Sequence, residues 1–430
     1  MKERTNVSSI MYSLMIVLPI VGDSILSRWM GAFGLSVMPA LSTVLIIPYA
    51  VMNRDVFYCD RRLKYLIALL LLLVVVNVLT DSIWLLTGGE LIIRGENVCI
   101  KSAKGVLTFS AIIFYLLIVS NLSEGISEEQ AFRPFAIALV ILALIAFIEL
   151  FTMPNALPWA HEAGGFPYWR VRLLTIESST TAPQIIIYGG LSLYYAWEIL
   201  KNRKLTVACV LLLGFLTFSS SSKTLMVCIL IIPAIVFVHY ILHNKSRIKL
   251  LAEIAVALIP IAYVLVDRLS EAMQMDLARY TSITTRVYMG LIGIRYAAMY
   301  PFGTGSALYL KLYPDMLIER LGLIKSLRLG NASEIMRLAK DSASDYGLST
   351  KSGITQYGLY WGLVGSCVFL TGMIKTYNEA YKKTGSVILL SVCILAMLTL
   401  CFTNDFDHQY EYWALFSGAL YILKDPAVEE

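Results

Sequence analysis

Two arginines two residues apart, Arg170 and Arg172, precede a carboxylate, Glu177, in a segment (154–181) rich in proline, glycine and aromatic rings. On an extended backbone side chains two apart point the same way. Each guanidinium offers a planar fork that matches two phosphate oxygens. Glu177 stands where an apolar run begins. A carboxylate at that depth is costly unless it is paired or used, so it is either the ion-pair partner of Arg172 or a functional group. Trp159, Tyr168 and Trp169 suit first an interfacial belt, with stacking on sugar rings as the alternative.

A second group lies further along. Ser282-Ile283-Thr284-Thr285-Arg286 leads into an apolar helical stretch that stops at Pro301-Phe302-Gly303-Thr304-Gly305. Ser and Thr open helices, and Pro-Gly closes them. Arg286 is then expected in the first turn, where free N–H groups attract anions; it is otherwise a solvated side chain. Arg295 is expected on a different face of that helix. Ser219 to Lys223 forms a short polar turn that fits a headgroup or simply reverses the chain. Arg320, Lys325, Arg328, Arg337 and Lys340 alternate with apolar residues, the pattern of a helix lying at a membrane interface. Asp405, Asp407, His408 and Glu411 could act as acid or base, or form a solvated loop. Asn77, Asp81 and Glu149, near span ends, are candidates to line a polar cavity.

The elements that position these groups are membrane spans. The chain has 430 residues, of which 58% are hydrophobic and 15% charged, with mean hydropathy +0.70. Soluble domains carry about 25% charged residues. The net charge of +5 sits at span edges and not on one face, so no nucleic-acid partner is implied. The seven cysteines contain no CxxC and read as buried small hydrophobes. The four histidines show no metal-binding spacing, so no metal is expected. There is no glycine-rich phosphate loop; energy must come from the substrate or an ion gradient. The first span reads as a retained signal-anchor.

Twelve spans are expected: about 8–27, 31–52, 65–86, 105–121, 135–153, 182–200, 205–218, 224–242, 250–266, 354–374, 385–402 and 411–423. With the N-terminus inside, 17 Lys and Arg fall on the cytoplasmic side and 7 in the short external loops. That is the positive-inside bias. The expected fold is therefore an all-α polytopic membrane protein with both termini cytoplasmic and one large external loop containing helices. It divides into 1–266 (nine spans, with the external loop 154–181), 267–353 (the large loop) and 354–430 (three spans and a short tail).

This arrangement resembles the bacterial O-antigen polymerases (Wzy-type), within the superfamily shared with O-antigen ligases. Arg172 to Ser179 resembles the family's Arg followed by a Glu-Pro-Ser-like turn entering a span. Ser222-Lys223-Thr224 is similar to its Ser-Arg/Lys-small turn. Ser282 to Arg286, then Pro301 to Gly305, resembles its Ser-x-x-x-Arg helix ending in Pro-x-Gly-x-Gly. Gly358 to Gly365, after Ser352 to Gln356, resembles a segment leading into a glycine-rich span start. Lys351 and Ser352 stand where the ligases carry His-Asn, a departure that leans away from the ligase.

The resemblance implies a metal-independent, cofactor-free glycosyltransferase of the bacterial inner membrane with its active site facing the periplasm. Its donor and acceptor are undecaprenyl-pyrophosphate-linked oligosaccharides, and a chain-length regulator is a further possible partner alongside membrane lipids. On that reading Arg172 and Arg286 hold the donor pyrophosphate, preorganised cations being a large catalytic contribution. Arg170, Lys223, Arg295 and Lys351 are secondary binding candidates. Glu177 is the first choice of base, ahead of His408 and Asp345. The competing readings are an O-antigen ligase, a lipid-linked oligosaccharide flippase and an assembly protein. The cavity is expected to open laterally so that a polyprenyl tail stays in the bilayer.

Overall fold

The structure is a computed structural model that describes residues 2–54, 57–161, 167–220, 222–243, 282–326, 332–345, 347–402 and 406–424. The expected span at 250–266, the first part of the large loop (267–281), Ser221, Arg328 and Asp405 lie outside these residues.

Among the described residues the protein is all-α apart from one small hairpin. The helices are α1 (Lys2–Val17), α2 (Ser27–Met30), α3 (Val37–Met52), α4 (Lys64–Leu86), α5 (Val98–Leu122), α6 (Glu128–Thr152), α7 (Thr181–Tyr194), α8 (Arg203–Ser220), α9 (Lys223–His243), α10 (Ser282–Met299), α11 (Gly305–Glu319), α12 (Gly322–Ser326), α13 (Ser333–Lys340), α14 (Gly353–Thr384), α15 (Val387–Phe402) and α16 (Glu411–Leu423). Among the described residues, five helical segments are long and apolar enough to cross a membrane: Arg61–Leu86, Val98–Leu122, Glu128–Thr152, Arg203–Ser220 and Gly353–Thr384. Shorter apolar helices at Val7–Ile20, Val37–Met52, Lys223–His239 and Val387–Cys401 accompany them.

Local chemistry sets the helix starts. Asn97 accepts from the Ile100 N–H and opens α5. Ser127 and Gln130 form a reciprocal capping box ahead of α6. At α14 the Ser352 side chain accepts from the Thr355 N–H. The centre of the bundle is α7 and α16, which are buried nearly all round. A helix apolar on every side belongs in the middle of its neighbours.

Two glycine-rich motifs interlock. Helix α14 is broken at Gly362, whose φ of +68° lies in the left-handed region. Gly303, with φ +80°, packs against the same break, and a Cβ there would fall 2.0 Å from the Tyr360 carbonyl. Thr304 N–H donates to Leu359 O at 3.1 Å, and Val364 N–H to Pro301 O at 3.0 Å. The turn that ends α10 therefore supplies partners for backbone groups freed by the break, as a membrane-embedded kink requires. Asn77 pins this corner from α4. It donates to Ser102 O and the Ser306 hydroxyl at 3.2 Å each and accepts from Ser306 N–H at 2.8 Å. It is buried as a strut, not a cavity lining.

Beside the bundle, α10, α11, α13 and the hairpin Ile92–Ile93/Glu96–Asn97 enclose a second core that includes Ile93, Tyr288, Tyr296, Tyr313, Ile335 and Leu338. Arg94 and Gly95 form the hairpin turn at positive φ. The Arg94 guanidinium donates to Leu310 O at 3.1 Å and to Leu338 O at 3.0 Å, and also to the carbonyls of Ala339 and Asp341. A cation over the last carbonyls of α13 satisfies groups that a helix end leaves open. This corrects the expectation for Arg337 and Lys340. The apolar face of α13 (Ile335, Leu338, Ala339) is buried by α11, not laid on a membrane interface. An amphipathic face reports only that something apolar covers it.

Candidate functional site

Three helices line one groove, each with a stripe at helical spacing. Helix α10 contributes Arg286, Val287, Gly290, Leu291, Ile294 and Ala297; α14 contributes Leu363, Ser366, Cys367, Leu370, Ile374 and Tyr377; α15 contributes Leu390, Cys393, Ile394, Met397, Leu398 and Cys401. The groove volume is about 860 Å³, at the upper end of ordinary small-molecule sites, roughly 300–1,000 Å³. The α14 stripe from Leu363 to Tyr377 alone covers about 21 Å at about 1.5 Å per residue. The walls are overwhelmingly apolar, yet Arg286 and Lys351 both stand in the lining, where the starts of α10 and α14 lie side by side. The remaining polar lining comes from Ser352, Thr355, Ser366, Tyr377 and Asn378.

Lys351 holds a left-handed backbone, φ +58°, which costs a residue with a Cβ about 1–2 kcal/mol. Its neighbours impose the shape. Thr350 N–H donates to Gln356 Oε1 at 2.9 Å, and the Thr350 hydroxyl donates to Ser352 O at 2.9 Å. Such backbone strain recurs where structure is over-determined around a ligand site.

The structure brings two of the sequence candidates together at the cationic end. Arg286 Nη2 lies 3.6 Å from Glu177 Oε1. Ser179 bridges them, donating its hydroxyl proton to Glu177 Oε1 at 2.6 Å and accepting from Arg286 Nη2 at 3.2 Å. Glu177 is thus paired with Arg286 and not with Arg172. Helix α10 begins at Ser282, so Arg286 sits one turn inside it, and not in the first turn as the Ser/Thr cluster indicates. Thr285 donates to Glu334 Oε2 of α13 at 2.8 Å, which ties this end of α10 to the second core.

Arg172 has a different place. It is 2% exposed, and its guanidinium carbon lies 4.8 Å from the Tyr168 ring centre. Burial lowers its pKa, while Glu149 and Asp23 act in the opposite direction. Arg170 is exposed, so the two arginines do not point the same way. Glu149, at the end of α6, organises the turn: one oxygen accepts from the N–H groups of Arg172 at 2.9 Å and Leu173 at 2.8 Å, and the other meets His161 Nε2 at 2.9 Å. His161 Nδ1 lies 3.7 Å from Asp23 Oδ2. Glu149 is therefore the anchor of the 154–181 loop and not a cavity carboxylate. Tyr168 is a strut, bonded through its hydroxyl to Ser178, whereas Trp159 and Trp169 stay exposed.

The other candidates lie away from the groove. Arg295 is exposed and outside the lining. Lys223 opens α9, half-buried, and is also outside it. Asp345 pairs with Lys101. His408 Nε2 lies 3.6 Å from Asp407 Oδ1, and Asp407 accepts from the Tyr357 hydroxyl at 3.2 Å. Glu411 is buried at the start of α16, so this segment is not a solvated loop. Among the described residues no group of three or more His, Cys, Asp or Glu could hold a metal ion.

Sequence reasoning missed Ser179 and the pairing of Glu149 with His161. A serine in a polar turn carries no distinguishing signal, and His161 belongs to no motif. No protein-family model matches the chain, and no curated protein matches it.

Proposed function

We propose that this protein is a bacterial surface-polysaccharide polymerase of the inner membrane, joining undecaprenyl-pyrophosphate-linked oligosaccharide units at the periplasmic face. The observation that carries this reading is the long apolar groove with Arg286 and Lys351 in its lining and the Glu177 carboxylate 3.6 Å from Arg286. A polyprenyl chain needs such a groove, a pyrophosphate needs such cations, and glycosyl transfer needs a base beside them.

In this scheme the polyprenyl tail of the donor lies along the stripes of α10, α14 and α15. Its pyrophosphate rests against Arg286 and Lys351. Glu177 takes the proton of the acceptor hydroxyl, whose oxygen forms a bond to the donor's anomeric carbon. The bond from that carbon to pyrophosphate breaks, and the leaving group departs with the electron pair, stabilised by the two cations. Arg172 serves through the loop that presents Glu177, and Arg170 and Trp169, both exposed, are available to incoming sugar. The proposal includes twelve spans with both termini inside and the loops 154–181 and 267–353 outside, in keeping with the lysine and arginine bias.

The test is a gel of extracted lipopolysaccharide from a deletion strain carrying the wild-type protein or Arg286→Ala. Loss of the ladder to core plus one repeat unit, restored only by wild type, is the expected result. Loss of every repeat unit from the core while long polymer accumulates on the carrier would make the protein a ligase instead. An unchanged ladder would refute both and return the flippase and assembly readings.

A further inference from the structure

The 154–181 loop is fastened to the bundle by a buried charge cluster in which His161 is the centre. Its two ring nitrogens each face a carboxylate: Nε2 lies 2.9 Å from Glu149 Oε1, and Nδ1 3.7 Å from Asp23 Oδ2. All three side chains are at most 1% exposed. A neutral imidazole has one N–H and one lone pair. It would direct that lone pair at a carboxylate oxygen whichever tautomer formed. Only the imidazolium turns a positive N–H toward both carboxylates, in a hydrogen bond to Glu149 at 2.9 Å and a longer ion pair with Asp23 at 3.7 Å. The charges agree. Among the described residues the groups acting on the ring are Asp23 from the turn before α2, Glu149 from α6 and Arg172 from the loop itself. A protonated His161 sets a positive charge directly between the two carboxylates, beside the Arg172 guanidinium. An uncancelled buried charge is far more costly than a paired one.

We propose that His161, as an imidazolium clasped between Glu149 and Asp23, is the positioning residue that locks the Arg172–Leu173 turn onto the bundle, so that the turn is held at acidic pH and loosens as pH rises. The clasp reaches the site through the backbone. The Glu149 carboxylate that holds His161 also accepts from the Arg172 and Leu173 N–H groups, and Leu173 is held at φ +54°. Four residues on, Glu177 meets Arg286. Burial pulls the His161 pKa down, but its pairing with the Asp23 and Glu149 carboxylates outweighs that and the Arg172 repulsion; the net direction is up. A histidine whose folded-state pKa is raised stabilises fully below its unfolded value, about 6.5. That contribution is lost as pH climbs through the folded value.

What the loop presents to substrate rests on the proposed polymerase reading; the clasp itself does not. The experiment is hydrogen–deuterium exchange of the full-length protein in lipid nanodiscs, from about pH 6 to about pH 9, corrected for intrinsic exchange. The peptide containing the Arg172 and Leu173 amides is expected to exchange at least about tenfold faster at the alkaline end. Glu149→Gln, which removes one of the two carboxylates, is expected to move that step to lower pH. His161→Gln is expected to exchange fast throughout, with no step. Flat protection of the wild type, or a step that persists in His161→Gln, overturns the clasp. An exchange step without a matching fall in polymer formation leaves the clasp standing and counts against Glu177 as the base.

Discussion

Arg286 and Glu177, on elements far apart in sequence, approach to 3.6 Å beside the apolar groove, with the Ser179 hydroxyl bonded to both. The carboxylate is half exposed and the guanidinium partly so. An ion pair of that kind contributes at most about 1 kcal/mol to stability. Its side chains can therefore be changed without unfolding the protein, and the changes report on chemistry.

On the proposed polymerase reading, Arg286→Ala is expected to lower polymer formation about 10²–10³-fold, the usual cost of removing one preorganised hydrogen-bond donor from a developing negative charge. Arg286→Lys keeps the charge and loses the planar fork, and is expected to fall between. Densitometry of the polysaccharide ladder at matched protein level measures both.

Glu177→Gln is expected to cost about 10²–10⁴-fold in the transfer step, as loss of a general base does. Ser179→Ala should cost far less, because it removes a bridge and not the proposed base. A radiolabelled lipid-linked donor in reconstituted vesicles separates the two. Equal losses in both variants would shift the base assignment elsewhere.

Cys367 and Cys401 are exposed and line the groove. A lipid-phase maleimide is expected to label them, and a polyprenyl phosphate to protect them. Cys59 and Cys99, exposed and outside the groove, serve as unprotected controls. Mass spectrometry of the labelled peptides gives the answer; equal labelling with and without lipid would remove the tail from the groove.

The same two control cysteines test the orientation. With the N-terminus inside, Cys59 faces the cytoplasm and Cys99 the outside. A membrane-impermeant maleimide applied to intact spheroplasts is expected to modify Cys99 and spare Cys59 until the cells are lysed. The reverse pattern would invert the topology.

Gly303→Ala is expected to destabilise the protein by about 3 kcal/mol or more, since its Cβ would collide with the Tyr360 carbonyl as well as demand a left-handed backbone. Gly385→Ala shares the positive φ but meets open space. It should cost only the conformational part, about 1–2 kcal/mol. Thermal denaturation in detergent, followed by tryptophan fluorescence, compares them.

Much of the site is legible from residue type. Glu177, Arg286 and Lys351 stand out as charges beside apolar runs, and two of them meet. The Pro301–Gly305 and Gly358–Gly365 motifs are visible as helix breakers. That they break against each other is not, because neither sequence names the carbonyl that a glycine must admit. Arg170 and Arg172 look equivalent in sequence. The structure makes one exposed and the other a buried strut, since Glu149 captures the Arg172 and Leu173 N–H groups and sets the turn there.

Hydropathy alone determined that this is a helical membrane chain, because each span must satisfy its own backbone in lipid and so carries its signal locally. Helix caps and breakers are local as well, and α10 ends at its Pro-Gly signal. Pairing is not local. The partner of Glu177, the burial of Arg172, the clasp at His161 and the cover over α13 depend on which distant surfaces pack together. A carboxylate, a guanidinium or an amphipathic stripe reads the same whether water, lipid or protein lies against it. Only the tertiary structure decided which of the three it is.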